Sequence, residues 1–296
     1  MAPPEFNALV NEFRTTQLND LTVAAGFEEC LVAAGLGSLD RLFACSSEQD
    51  LQKPGLSAWR ERIRLTLTIE DEPTALYLKR YTNPPLAARR ALRQCGARVR
   101  SLAGLEWTRM CQLAAAGIPC VEPVAFGEKL TGNREVRSAV LAKAVPGRSL
   151  EAWASEWTGA DRQAVCQAAD ASAVIVARLH GSGFIHRDLY LSHLFFHPEP
   201  ADGVPIRIID LQRVLHKPRF FRRWVVKDLA SLSFSTPDTL FSTADRVRWL
   251  KRYLGIGKMD RAAKRLAYSI IGKTRRIARH DRRRRRRLGP SGMDAS

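Results

Sequence analysis

The chain of 296 residues is defined first by what it lacks. No run of about 18 apolar residues occurs, the length a membrane-crossing helix requires. None of the six cysteines (Cys30, Cys45, Cys95, Cys111, Cys120, Cys166) forms a C-x-x-C pair, and no His/Cys cluster has zinc-ligand spacing, so a structural zinc module is excluded. The opening residues Met1-Ala2-Pro3-Pro4-Glu5 hold no basic segment leading into an apolar core. The expectation is a cytoplasmic chain whose thiols stay reduced and serve mostly as buried filler. No internal repeat and no G-x-G-x-x-G loop occurs. Acidic residues almost vanish from one end: between Arg246 and Arg287 there are 18 basic residues and only Asp260 and Asp281, whereas the rest holds 29 basic and 28 acidic residues. The net charge of +17 is therefore a basic C-terminal end on a nearly neutral body. That excludes a uniformly basic nucleic-acid-coating protein.

What is present is an ordinary globular composition, 45% hydrophobic and 26% charged, enough for a packed core. The first 50 residues carry eight acids and two arginines, and Phe27–Ala34 reads as a helix ended by Gly35. From Arg60 to Ile69, Arg62, Arg64, Thr66 and Thr68 alternate with Ile63, Leu65, Leu67 and Ile69. That period of two predicts a half-buried strand. Turn residues Glu70–Pro73 and a second strand, Ala75–Tyr81, complete a hairpin. A helix is predicted from about Arg98 to Ala116, ended by Gly117 with Pro119 beyond. Strand-like pieces follow near Glu122–Gly127 and Ser138–Lys143. After a hinge candidate at Pro146-Gly147 the pattern turns helical, over about Leu150–Trp157 and Asp161–His180. Short strands near Phe195 and Arg207–Ile209 interrupt it, and helix resumes near Arg223. The layout is two-lobed, with strands first and helices second.

The densest chemical signal is Gly183-Phe184-Ile185-His186-Arg187-Asp188-Leu189-Tyr190-Leu191-Ser192-His193, followed by Ile208-Ile209-Asp210-Leu211. A carboxylate such as Asp188 can orient an acceptor hydroxyl and take its proton. An acid after an apolar strand, such as Asp210, can hold Mg²⁺ against nucleotide phosphates. Alone, each has a bland reading as a surface turn or a strand-end cap. In order, they reproduce the catalytic and metal loops of protein-kinase-like enzymes. Such an enzyme needs a strand lysine paired with a helix glutamate. Lys79 lies on the second hairpin strand. Glu106 lies on the apolar stripe of Leu102, Met110 and Leu113, where a carboxylate requires a cation. For the phosphate-covering loop the nearest segment is Lys53–Trp59, with Gly55 and Ser57; an ordinary loop reads equally well there. His193 stands where kinases place a Mg²⁺-binding asparagine. It is either a hydrogen-bonding stand-in or a sign of reduced metal coordination.

The run His186–His193 followed by Ile209-Asp210-Leu211-Gln212-Arg213 resembles the lipopolysaccharide kinase (Kdo/WaaP) family. That family's pattern also has His-Arg-Asp with a histidine five residues after the Asp, and an Asp-Leu-x-Arg metal loop. Lys227-Asp228-Leu229-Ala230 resembles its next segment. The resemblance covers roughly Gly55 to Tyr253. It implies a bilobal protein-kinase-like α+β fold and ATP-dependent phosphorylation of an inner-core sugar, Kdo or heptose. Lys79, Glu106, Gly55 and Ser57 would then serve ATP. Asp188 with His186 and Arg187 would form the catalytic loop, and Asp210 with His193 would hold Mg²⁺. Arg187 would be structural, paired with an acid or a carbonyl, and Asp228 would brace the loop backbone. His180 reads as a helix-end cap.

The basic end interleaves Arg246, Arg248, Lys251, Arg252, Arg261, Lys264, Arg265, Lys273, Arg275, Arg276 and Arg279 with apolar residues. It is expected to be partly an amphipathic helix on an anionic membrane, with the six-arginine run, 282–287, as a disordered tail. The expected domains are an N-terminal extension (1–50), an N-lobe (51–145), a C-lobe (146–255) and a basic helix and tail (256–296). The expected partners are a lipopolysaccharide-core sugar or other glycolipid acceptor and the inner face of the cytoplasmic membrane. Nucleic-acid binding is disfavoured, since it leaves the kinase constellation unexplained. Two rivals stay open: a kinase with a protein or small-molecule acceptor, and a non-catalytic pseudokinase scaffold.

Overall fold

The alternating apolar residues of Arg60–Ile69 lie one strand in from the edge of a seven-stranded antiparallel sheet, in a computed structural model that describes residues 13–46, 49–50, 57–89, 92, 99–156 and 162–288. The chain divides into two units, 1–145 and 146–296.

The first unit runs β1 (Thr15–Leu18), β2 (Leu21–Ala24), α1 (Glu28–Ala33), α2 (Leu39–Ala44), β3 (Gln49–Asp50), β4 (Arg60–Ile69), β5 (Glu72–Thr82), α3 (Leu86–Arg89), α4 (Leu102–Ala115), β6 (Pro123–Thr131) and β7 (Arg134–Lys143). The sheet order is β1-β2-β6-β7-β5-β4-β3. Ile63, Leu65 and Ile69 are buried while Arg64, Thr66 and Thr68 face solvent, as a period of two requires. The β4–β5 turn is Glu70-Asp71, both with positive φ (52° and 63°). Such two-residue turns match the twist of the flanking strands. Within the segment expected as an N-terminal extension, β2 adds to the sheet by pairing with β6 through Leu21–Val23. α4 begins at Leu102, after Ser101, whose hydroxyl accepts the Gly104 N–H at 3.0 Å. That cap sets the helix start later than the periodicity alone predicts.

The second unit runs β8 (Arg148–Ser149), α5 (Leu150–Glu156), α6 (Arg162–Gly181), β9 (Phe184–Ile185), β10 (Leu194–Phe196), β11 (Ile206–Ile208), β12 (Leu215–His216), α7 (Phe221–Ser235), α8 (Thr243–Leu254) and α9 (Arg261–Leu288). Its strands form a three-stranded sheet, β11-β10-β8, and a β12-β9 pair. Gly147 has φ +85°, and a Cβ there would lie 2.2 Å from the Phe196 carbonyl oxygen, so glycine is required. α9 runs through the arginine stretch to Leu288, where a disordered tail was expected. Arginine is a good helix former, and Asp281 pairs with Arg285 one turn on, at 2.8 Å.

Two further expectations fail. Of the five cysteines among the described residues only Cys111 is buried, and Cys166 is exposed. His180 does not cap a helix end in solvent. It is buried, and its Nδ1 lies 2.8 Å from the Tyr253 hydroxyl and its Nε2 3.4 Å from Asp228. The carboxylate takes the Nε2–H, so Nδ1 accepts the tyrosine proton.

Candidate active site

In the first unit, alternation along β5 turns Lys79 and Tyr81 to one face, and α4 lies against them. The Lys79 ammonium pairs with Glu106 Oε1, and the Tyr81 hydroxyl donates to Oε2 at 3.4 Å. Glu106 is 3% exposed, so the lysine supplies the cation that a buried carboxylate requires. Ser57 is exposed, and its carbonyl accepts the Arg60 N–H at 2.9 Å. Gly55 lies outside the described residues.

In the second unit, the loop after β9 carries His186, Arg187 and Asp188, with Arg187 at φ 74°. Such a backbone needs external support, and Asp228 of α7 provides it. Its fully buried carboxylate accepts the His186 N–H at 2.7 Å and the Arg187 N–H at 2.8 Å. His186 is also fully buried. Burial holds its imidazole neutral, with its pKa below the ordinary value, and its Nε2–H donates to the Ile209 carbonyl at 2.9 Å. An enclosed ring cannot meet a substrate. His186, expected in the catalytic set, is a strut between the loop of Asp188 and the loop of Asp210.

Arg187 also departs from expectation. Its guanidinium lies over the Trp224 ring at 5.2 Å, and its Nε has no hydrogen-bond partner. Stacking takes the place of the expected pairing, because Asp188 is already held by others. Arg213 Nη1 lies 2.7 and 2.9 Å from its two oxygens, and Lys227 Nζ lies 3.7 Å away. Burial lowers the pKa of Lys227, opposed by the Asp188 charge. Sequence reasoning gave Arg213 and Lys227 no role. The Asp-Leu-x-Arg run already contained Arg213 and the Lys227-Asp228-Leu229-Ala230 run contained Lys227, but only folding brings both side chains to Asp188.

His193 closes the arrangement. Its Nδ1–H donates to the Asp188 carbonyl at 2.7 Å, which leaves the Nε2 lone pair directed outward. Nε2 lies 3.6 Å from Asp210 Oδ2. Asp210 adopts the left-handed conformation, φ 59°, and the Ile209 N–H donates to the His193 carbonyl at 3.0 Å. Two lone-pair donors thus sit side by side. They fit a divalent cation that takes its remaining ligands from phosphate and water, and no cluster of three or more such residues exists among the described residues.

A loop carboxylate (Asp188), a neighbouring acid and histidine (Asp210 and His193) and a strand lysine paired with a helix glutamate (Lys79 and Glu106) are residue types that a phosphoryl-transfer enzyme uses. A family model for the lipopolysaccharide kinase (Kdo/WaaP) family matches residues 76–253. The chain is 30% identical over 154 residues to the lipopolysaccharide core heptose(I) kinase WaaP of Pseudomonas aeruginosa, 50% of this chain and 58% of that protein. It is 29% identical over 157 residues to the protein of that name from Escherichia coli K12, 51% of this chain and 59% of that protein. These matches span less than two thirds of the relatives' lengths. A solved structure of WaaP in complex with acyl carrier protein superposes with a TM-score of 0.62 at 22% identity, covering 87% of this chain and 98% of that chain, so the two share the kinase-like α+β fold. By the match over 76–253, which contains every one of these site residues except Ser57 and Gly55, the chain belongs to the lipopolysaccharide kinase (Kdo/WaaP) family.

Proposed function

We propose that this protein is an ATP-dependent kinase that phosphorylates a hydroxyl of a lipopolysaccharide inner-core sugar, with heptose the first acceptor to test because the curated relatives carry that name. The observation that carries this reading is the geometry around Asp188: a carboxylate on a backbone clamped by Asp228, one residue pair away from Asp210 and His193.

Asp188 orients the acceptor hydroxyl and takes its proton as the new O–P bond forms and the bond from the γ-phosphorus to the β-phosphate oxygen breaks, releasing ADP. Arg213 and Lys227 hold Asp188 between substrates and place positive charge beside the phosphoryl group in transfer. Lys79, fixed by Glu106, binds the nucleotide phosphates. Asp210 and His193 would hold Mg²⁺, which neutralises phosphate charge. His186 and Asp228 keep the two loops in register. Ser57 and Gly55 remain the proposed phosphate-covering segment.

The peripheral location on the inner face of the cytoplasmic membrane rests on α9. Lys264, Arg265, Arg275, Arg276 and Arg279 are exposed, with Tyr268 and Ile271 exposed among them. That mixture suits an anionic interface.

The test is Mg²⁺-dependent transfer from ATP to purified inner-core acceptors ending in Kdo or in heptose, with Asp188→Asn and Asp210→Asn beside wild type. Transfer to the heptose-bearing acceptor, reduced about 10²–10⁴-fold in Asp188→Asn, is the expected result. ATP binding without transfer to either acceptor would replace the acceptor assignment. Absence of ATP binding would favour the scaffold reading.

A further inference from the structure

Between Asp210 and Asp228 the chain holds six basic residues (Arg213, Lys217, Arg219, Arg222, Arg223 and Lys227) and no acid. Arg213 and Lys227 are engaged with Asp188. The other four have no carboxylate partner among the described residues, and all four are exposed. They surround Phe220, which is 66% exposed and has φ 60°. A bulky residue is strained in that conformation. Phe220 is also the N-cap of α7 and makes no side-chain cap bond. Glycine or asparagine would suit both the backbone and the cap better. Stability thus argues against phenylalanine here on two counts, and strain of this kind gathers where function holds it.

Helical spacing connects this residue to the chemistry. Arg223, Trp224 and Lys227 recur at three- and four-residue intervals and so share one face of α7, and Phe220 stands at the head of the helix as its N-cap, with the Arg219 guanidinium 4.8 Å over one face of its ring. Lys227 stands at Asp188, and Trp224 carries the Arg187 guanidinium. Phe220 lies seven residues back, about 10 Å along the helix. An aromatic and cationic strip therefore leads outward from the reactive carboxylate.

We propose that this strip, Lys227 back to Phe220, is the acceptor subsite and that it takes an acidic saccharide. The exposed parts of the Phe220 and Trp224 rings give apolar platforms to sugar faces. Arg223 and Arg219 meet the carboxylates or phosphates of the chain, and the sugar hydroxyl at its end reaches Asp188. The inference rests on the kinase reading above, and it assigns the source of acceptor selectivity within it.

The test uses the full chain and a deacylated, lipid-free inner-core oligosaccharide, alongside the same oligosaccharide with its carboxylates esterified. Calorimetric binding and acceptor KM are measured for wild type, Phe220→Asn and Arg223→Ser. Each substitution is expected to weaken acceptor binding about tenfold, the size of one aromatic or charged contact, with the loss falling on acceptor KM and not on ATP KM. Phe220→Asn is expected to melt at or above the wild-type temperature, since it relieves strain; a structural role would lower it. Esterification should weaken wild-type binding and have little further effect on Arg223→Ser. Unchanged acceptor binding in both variants overturns the proposal. So does a defect seen only with lipid-bound acceptor in anionic vesicles, which would make the strip a membrane contact. Oligosaccharide binding that depends on Phe220 without any phosphate transfer would leave the subsite standing and remove the kinase reading.

Discussion

The buried carboxylate of Asp228 accepts two backbone N–H groups and faces His180, so one side chain organises three parts of the second unit. Removing it strands two buried donors, each costing about 1–3 kcal/mol. Asp228→Ala is expected to destabilise the chain by about 3 kcal/mol in urea unfolding and to lower transfer even where the protein remains folded. A loss under about 1 kcal/mol would show that the loop holds its shape by other means. Asp228, Lys79, Glu106, Asp188 and Asp210 were legible because each belongs to an ordered motif whose chemistry requires a partner. Arg80 was not. It is 5% exposed, and its guanidinium reaches the Leu42 carbonyl at 2.7 Å and Glu61 at 2.9 Å. No local pattern marks a buried arginine whose acceptor lies 38 residues away. His180 was read as a helix-end cap for the same reason: its partners are 48 and 73 residues on.

Elements were legible in proportion to their length. β4 and β5, ten and eleven residues long, show a period of two. β8, β9 and β12 have two residues each and no period to read. α8 shows how a local signal becomes stability. Ser242 and Asp245 form a capping box: the Ser242 hydroxyl accepts the Asp245 N–H at 3.2 Å, and Asp245 Oδ2 accepts the Ser242 N–H at 3.0 Å. The Ser242 hydroxyl, then its backbone N–H, lowers the Asp245 pKa from 3.8 to about 2. Because the folded value is the lower one, this stabilisation is full above 3.8 and is lost as pH falls towards about 2. The melting temperatures of wild type and Asp245→Asn should therefore differ at neutral pH and converge across that window. A gap that stays constant with pH would assign the cap's effect to shape and not to charge.

For the whole chain, the dominant quantity is where the charge lies. The basic C-terminal end enters α9, whose buried positions include Ala263 and Ile270 and whose Thr274 hydroxyl reaches the Ala230 carbonyl of α7 at 3.3 Å. Packing on α7 leaves the arginines outward. Binding to vesicles rich in anionic lipid should weaken by about 1 kcal/mol for each of Arg275, Arg276 and Arg279 changed to Glu, and should fall with added salt. Sedimentation with vesicles measures this, and binding indifferent to both changes would rule α9 out as the contact.

The sequence by itself determined the class of fold, the two-part order of strands and helices, and the motifs from which the proposed site is drawn, because periodicity and motif spacing are local properties of the chain. It also located the excess positive charge. Only tertiary structure decided which of those residues are enclosed and which are open to a ligand. Whether a histidine meets a substrate or braces a loop depends on burial and on partners distant along the chain. His186 is enclosed and hydrogen-bonded to Ile209, while His193 turns its free nitrogen towards Asp210. The placement of Lys227 beside Asp188 likewise arises from packing α7 against the loop after β9, through contacts that no stretch of sequence contains.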